Sequence, residues 1–186
     1  MKCYLCSKTA KIKQQKGRAV CDECFCRLIE KRIRKYTRLN KIFRPKDRVL
    51  VLGDLNKYFA GSIVKNLPIK LFFRAKENKE FVRKNKINKV IRQETIDDQV
   101  NLFLENLFTG RSMKSSKSSI SLLKVITDKE AKLFAKIKKL KFKENKKNKD
   151  VQKLIGELEK KDPSAKYRIL KNIDILKTLK QGLFLC

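Results

Sequence analysis

From residue 49 onward, short apolar runs of strand length alternate with longer segments of helical period, and this alternation predicts an α/β fold with a parallel sheet. The strands should be joined by right-handed crossovers. Ahead of the sheet, two matched cysteine pairs predict a small metal-bound knuckle. Between the two lies a helical segment with a heavy excess of Lys and Arg. The expected organisation is a knuckle over residues 1–26, a basic linker helix over 27–48 and an α/β domain over 49–186.

The knuckle rests on spacing. Cys3 and Cys6 enclose two residues, fourteen residues follow, and Cys21 and Cys24 enclose two more. Two intervening residues let both thiolates of a pair reach one ion, and two pairs complete a tetrahedron. Zinc suits four soft thiolates, so Cys3, Cys6, Cys21 and Cys24 are the expected ligands of one structural Zn2+. Such a small unit lacks a core of its own, and metal binding should supply much of its folding energy. Cys26 is one residue too far for the second pair and reads as a free thiol on the next helix; Cys186 stands alone. Gly17 lies near the turn of a hairpin-like stretch between the pairs.

Asp22 is expected to cap the helix that follows. Phe25, Leu28, Ile29, Ile33 and Tyr36 recur at spacings of three and four and form its apolar face. Its other faces are basic, and residues 27–48 hold ten basic and two acidic residues. Val49–Leu52 is a continuous apolar run, the mark of a strand buried on both faces. Gly53 ends it, and a helix follows with Tyr58, Phe59, Ile63 and Val64 inward, stopped by Pro68. Ile69–Phe73 and Lys89–Ile91 read as further strands, with part of the polar stretch between them helical. Asp97 and Asp98 open a helix with Val100, Phe103, Leu104, Leu107 and Phe108 on one face, and Gly110 closes it. Acidic residues in a first helical turn favour the helix dipole, a better account of this pair than catalysis.

Residues 111–119 read as a polar loop and Leu122–Ile126 as extended. Thr127 and Glu130 have capping-box spacing ahead of a helix that buries Ala131, Phe134 and Ala135. Residues 141–149 read as a solvated low-complexity segment, followed by a short helix with Val151, Leu154, Ile155 and Leu158. Asp162 and Pro163 open the last helix, whose stripe is Ile169, Leu170, Ile173, Leu176 and Leu179.

Charge points to the partner. Lys and Arg number 49 against 19 acidic residues, a formal net charge of +30 on 186 residues. Such a charge opposes compaction unless a polyanion is near, and nucleic acid gains affinity from each neutralised phosphate by counterion release. The exposed side of the basic helix, with Arg27, Lys31, Arg34, Lys35 and Arg38, is the expected RNA contact; a solvated basic face is the plain alternative. Residues 132–149, nine basic against one acidic, are a second candidate. An anionic membrane would ask for an exposed amphipathic helix or a lipid anchor, and neither is evident. No apolar run approaches a bilayer span and the N-terminus has no signal-peptide core, so a cytoplasmic protein with reduced thiols is expected. The chain has no His, which excludes histidine general-base and Cys-His or Ser-His chemistry.

The order Cys-x2-Cys, basic hairpin, Cys-x2-Cys-Phe, basic helix and Val/Leu strand resembles the PP-loop ATP-pyrophosphatase proteins that 2-thiolate tRNA uridine. Thr95-Ile96-Asp97-Asp98-Gln99 with its helix is similar to that family's GHNxDDE segment, Lys124-Val125-Ile126 with Glu130 to a later segment, and Asp162–Tyr167 to one before a late helix. The resemblance implies a Rossmann-like nucleotide-binding domain behind a zinc knuckle. Departures from it concern the catalytic parts. Active members carry SGGxDS after the first strand; here Asp54-Leu55-Asn56-Lys57-Tyr58-Phe59 stands there, with a carboxylate and bulky side chains in the phosphate seat. Two catalytic cysteines are missing from their intervals, and Gln93-Glu94-Thr95 replaces GHN. The resemblance therefore implies a reduced, non-catalytic member that does not use ATP itself, binds tRNA and pairs with an active PP-loop paralogue. An active minimal tRNA sulfurtransferase and a stand-alone zinc-knuckle RNA binder are the other readings.

Overall fold

The computed structural model describes residues 1–13, 17–111 and 119–182, with Ser119 and residues 177–182 described by backbone alone. Two compact units are present, Met1–Thr95 with Ser115–Glu144, and Ile96–Lys114 with Asn145–Cys186.

The first unit begins with a two-stranded antiparallel ribbon, β1 (Ile12–Lys13) and β2 (Ala19–Val20), in which Ile12 faces Val20. Helix α1 (Asp22–Leu39) follows. Its N-cap is Cys21, with extended backbone and no side-chain cap, so Asp22 is the first helical residue and not the expected cap. There its carboxylate complements the helix dipole without bonding a backbone N–H. The helix buries Phe25, Cys26, Ile29 and Ile33. Strand β3 (Arg48–Leu52) leads through Gly53 into α2 (Asp54–Val64), then come β4 (Lys70–Arg74), the short α3 (Lys79–Lys84) and β5 (Lys89–Arg92). Strand β6 (Ser119–Ser121) and α5 (Asp128–Ile137) belong to this unit, while α4 (Ile96–Phe108) belongs to the second.

The sheet is parallel throughout, in the order β4-β3-β5-β6. Central strand β3 buries Val49, Leu50 and Val51 completely, as its unbroken apolar run predicts. The rings of Phe59, Tyr58 and Phe134 join α2 to α5, with centroids 5.0 to 5.6 Å apart. Leu122–Ile126, expected to be extended, is a turn that follows the strand Ser119–Ser121. Leu122, Leu123 and Ile126 are fully buried in a turn closed by the Ile126 N–H on the Leu123 carbonyl, and a short apolar run fits either arrangement. The capping box forms: the Glu130 N–H donates to Thr127 Oγ1 and the Thr127 N–H to the Glu130 carboxylate.

The second unit packs Ile96, Val100 and Leu104 of α4 against Val151 and Ile155 of α6 (Lys149–Lys161) and Leu170 of α7 (Ala165–Gly182). Leu107 and Phe108, expected on the buried face of α4, are 62% and 63% exposed, because the packed face runs out at Leu104. Residues 141–149 are not solvated throughout: the Lys147 side chain is 5% exposed, 2.8 Å from the Asp98 carboxylate, which also accepts from Asn145. Asp97 pairs with Lys166 at 2.6 Å. Asp162 accepts the Ser164 N–H and acts as a cap, although regular helix begins only at Ala165. Leu176 of the predicted stripe is exposed. The side chain of Leu179, residues 14–16 of the predicted hairpin, residues 112–118 of the predicted loop, and Cys186 lie outside the described residues. No helix among the described residues is long and apolar enough to cross a membrane.

Candidate metal centre and basic face

The first cysteine pair sits on a tight loop. The Cys3 N–H donates to the Lys8 carbonyl, the Ser7 N–H donates to the Cys3 carbonyl, and Ser7 takes a left-handed φ of 60°. The Tyr4 N–H donates to the Ala19 carbonyl and ties this loop to β2. The second pair is set by α1: Cys21 is its N-cap and Cys24 lies in its first turn, so both thiols leave the same end of the helix. The four sulfurs lie within 4.8 Å of one another, with Cys6 and Cys21 Sγ 3.6 Å apart. Cys3, Cys21 and Cys24 are buried and Cys6 is exposed. Burial opposes ionisation of Cys3, but backbone N–H groups of Cys21, Leu5 and Cys6 pull its thiol down to about 6. Cys24 is pushed up to about 12 by its hydrogen bond with Cys6 and by burial. A lowered Cys3 and a raised Cys24 in one sulfur cluster suit a bound cation, which takes its ligands as thiolates.

The donor set fits a single ion. Zinc–sulfur bonds of about 2.3 Å in a tetrahedron place ligand sulfurs about 3.8 Å apart, within the span found here. The thiolates of a four-iron cluster each bind a different iron, so they stand farther apart than thiolates sharing one ion. Cys26 lies on the opposite side of α1, buried, and burial raises its pKa. It is packing, not ligand.

Arg27, Lys31, Arg34, Lys35 and Arg38 are all exposed. At 100° per residue they share a stripe about 100° wide, opposite Ile29 and Ile33. Arg27 is paired with Glu23, which also accepts from Lys8 Nζ at 2.9 Å. Lys31, Arg34, Lys35 and Arg38 have no ion pair among the described residues. Their neighbour Arg32 points inward instead, its Nη1 donating to both Glu130 carboxylate oxygens at 2.8 and 3.0 Å. Glu30 accepts from the Tyr58 hydroxyl at 2.7 Å and pairs with Lys138. The inner polar side chains thus fix α1 to α2 and α5, while its outer cations face solvent.

The strand order changes direction between β3 and β5, and in open α/β sheets ligands enter the crevice at the carboxyl ends of such strands. Gly53 ends β3 with φ 84°. A Cβ there would stand 2.2 Å from Gln93 Oε1, so the Gln93 side chain already lies against the glycine. Its Nε2 donates to the Lys143 carbonyl at 3.3 Å. Asp54 occupies the first turn of α2, and Asn56, fully buried, donates to the Leu52 carbonyl at 2.9 Å. The sequence marks residues 93–95 as unusual, but only the fold brings Gln93 onto Gly53. Equally invisible in sequence is the buried bond from the Thr95 hydroxyl to Asp128 at 2.6 Å. The ion pairs of Asp97 and Asp98 agree with a structural role for both.

No protein-family model matches this chain, and no curated protein does. Among solved structures it is similar to the U34-tRNA thiolase NcsA from Methanococcus maripaludis, a structure determined with its 4Fe-4S cluster. The TM-score is 0.73 over 95% of this chain and 87% of that chain, at 17% identity. The fold is shared. It is Rossmann-like, as the sequence resemblance implies, and at this identity the likeness speaks for the fold alone.

Proposed function

We propose that this chain is a non-catalytic, tRNA-binding subunit of a tRNA uridine 2-thiolation complex in the cytoplasm, and that it works by pairing with an active PP-loop paralogue. Residues 1–26 would be the zinc knuckle, 27–48 a basic linker that holds α1 as far as Leu39, and 49–186 the degenerate PP-loop domain. The observation that carries the reading is the outer face of α1: four cations without ion pairs among the described residues, on a helix fixed from behind by Arg32–Glu130 and Glu30–Tyr58. Cations without ion pairs break no protein contact on meeting phosphates, and phosphate contacts position an RNA without reading its sequence. The similar solved structure is a tRNA thiolase, which makes tRNA the natural polyanion. In support of a non-catalytic role, Gln93 fills the space beside Gly53, and Asp54 puts a carboxylate where a polyphosphate would need donors. In support of zinc, the four sulfurs are close enough to share one ion.

A second reading, an active thiolase, is favoured by the fold of the neighbour and by its cluster. It would require nucleotide entry past Gln93 and a metal cluster at the thiols.

The test is tRNA binding over a range of salt concentrations. Changing Lys31, Arg34, Lys35 and Arg38 to Gln should weaken binding and flatten the logarithmic salt slope by roughly 0.7–0.9 per lost contact. Arg27→Gln should do less, since Glu23 already holds that guanidinium. An unchanged slope in the fourfold variant would remove this face from the RNA contact.

A further inference from the structure

Strand β4 is an edge strand, and the surface at its carboxyl end is unusual for one. Its sequence, Lys70-Leu71-Phe72-Phe73-Arg74, leaves Phe73 45% exposed. Lys57 from the first turn of α2 stands over the Phe73 ring, 5.3 Å from its centroid. Successive strand residues point to opposite faces, so Phe72 and Arg74 share the other side. There Phe72 meets Phe81 of α3 edge-on at 5.8 Å, and the Arg74 guanidinium lies 3.9 Å above the Phe81 ring. The end of β4 thus presents one exposed ring on one side and a ring layered with a guanidinium on the other. Residues 70–84 hold six cations against two acids, and one of those acids, Glu77, is paired with Arg92 at 2.8 Å.

Charged residues on an edge strand deter strand pairing, and Lys70 and Arg74 suffice for that. An exposed phenylalanine beside them works against it, because an apolar edge invites association. Rings interleaved with cations suit another occupant: unpaired nucleotides, whose bases stack on aromatic side chains and on guanidinium planes while their phosphates meet the cations. We propose that the carboxyl end of β4 is a base-stacking platform for single-stranded RNA, with Phe73 as one stacking surface and the Arg74–Phe81 layer as the other. This rests on the RNA-directed reading above but uses different residues, which separates the two in experiment.

The probe is a fluorescently labelled single-stranded oligoribonucleotide, twelve adenosines or twelve uridines, titrated with the full chain. The native chain should bind oligo(A) more tightly than oligo(U), because purines stack better. Phe73→Ala should lose roughly fivefold or more in oligo(A) affinity. It should also narrow the preference for A over U, with the salt slope unchanged because no phosphate contact is removed. Phe73→Tyr, which keeps a ring, should retain both affinity and preference. Arg74→Gln should lose stacking and salt slope together, and it serves as an independent probe on the other side of the strand. Equal affinity and equal A-over-U preference in native, Phe73→Ala and Arg74→Gln proteins of matching thermal stability would overturn the platform. The fourfold α1 variant, tested with tRNA, reports on the α1 face alone: its failure would leave the platform result standing, and failure of the platform would leave α1 standing.

Discussion

Two regions of the first unit are built around left-handed backbone, and they differ in what occupies the space it creates. In the knuckle, Ser7 turns the chain so that Cys3 and Cys6 face Cys21 and Cys24, and four sulfurs surround a point where one ion fits. At the carboxyl end of the sheet Gly53 also has a positive φ, but the Gln93 side chain lies in the space. One region presents donors to an outside ligand; in the other a side chain of the same chain lies in the space. The side chains at each turn therefore decide what occupies it.

Loss of a thiolate should unfold the knuckle and spare the sheet. In Cys24→Ser, or after removal of metal by a strong chelator, residues 1–26 should lose amide protection while β3 and β5 keep theirs. Hydrogen exchange resolves the two regions. Unchanged protection in the knuckle would mean that no ion holds it.

The sheet, by contrast, is held by buried polar groups that need no ion. Asp47, at the start of β3, accepts from Lys89 Nζ at 2.6 Å, the Arg44 N–H at 2.7 Å and Asn88 Nδ2 at 3.0 Å. Asp47→Ala should cost about 3 kcal/mol by leaving the Lys89 ammonium only the Ile42 carbonyl, measured by urea unfolding. Burial opposes the Asp47 charge, but the Lys89, Arg44 and Asn88 bonds outweigh it and hold the carboxyl below its ordinary value. Its folded pKa lies below the unfolded one, so this stabilisation is fully present above the ordinary carboxylate pKa of about 3.9. It is lost as pH falls through the folded value. The acid limb of the native stability profile should flatten in Asp47→Ala.

Gly53 sharpens the contrast more gently. Gly53→Ala meets both a positive φ and the Gln93 side chain, and should cost about 1–3 kcal/mol. Adding Gln93→Ala should recover the part due to the clash and leave the backbone cost of a positive φ with extended ψ. No recovery in the double variant would mean that Gln93 does not fill the space. The smallest effect is expected at the capping box, where Thr127→Ala should cost about 1 kcal/mol without touching either region.

Much of this was legible in the sequence because local rules carry it. Cysteine spacing marked the four sulfurs that the fold brings together, the unbroken Val49–Leu52 run marked the central strand, and Thr127 with Glu130 marked a helix start. What was not legible depends on distant partners. The apolar period of α4 continues to Leu107, yet burial stops where α6 and α7 stop covering it. A Lys-rich stretch reads as solvated until Lys147 meets Asp98, 49 positions earlier in the chain. Gln93 gives no local sign that it will lie on Gly53, because parallel strands bring together residues forty positions apart.

We propose that this chain contributes tRNA contacts and not catalysis. This is tested most directly by tRNA-dependent pyrophosphate release from ATP, measured for the pure chain, for an active PP-loop paralogue alone, and for the two mixed. The account predicts no release by the pure chain and more release by the mixture than by the paralogue alone. Release by the pure chain would contradict it.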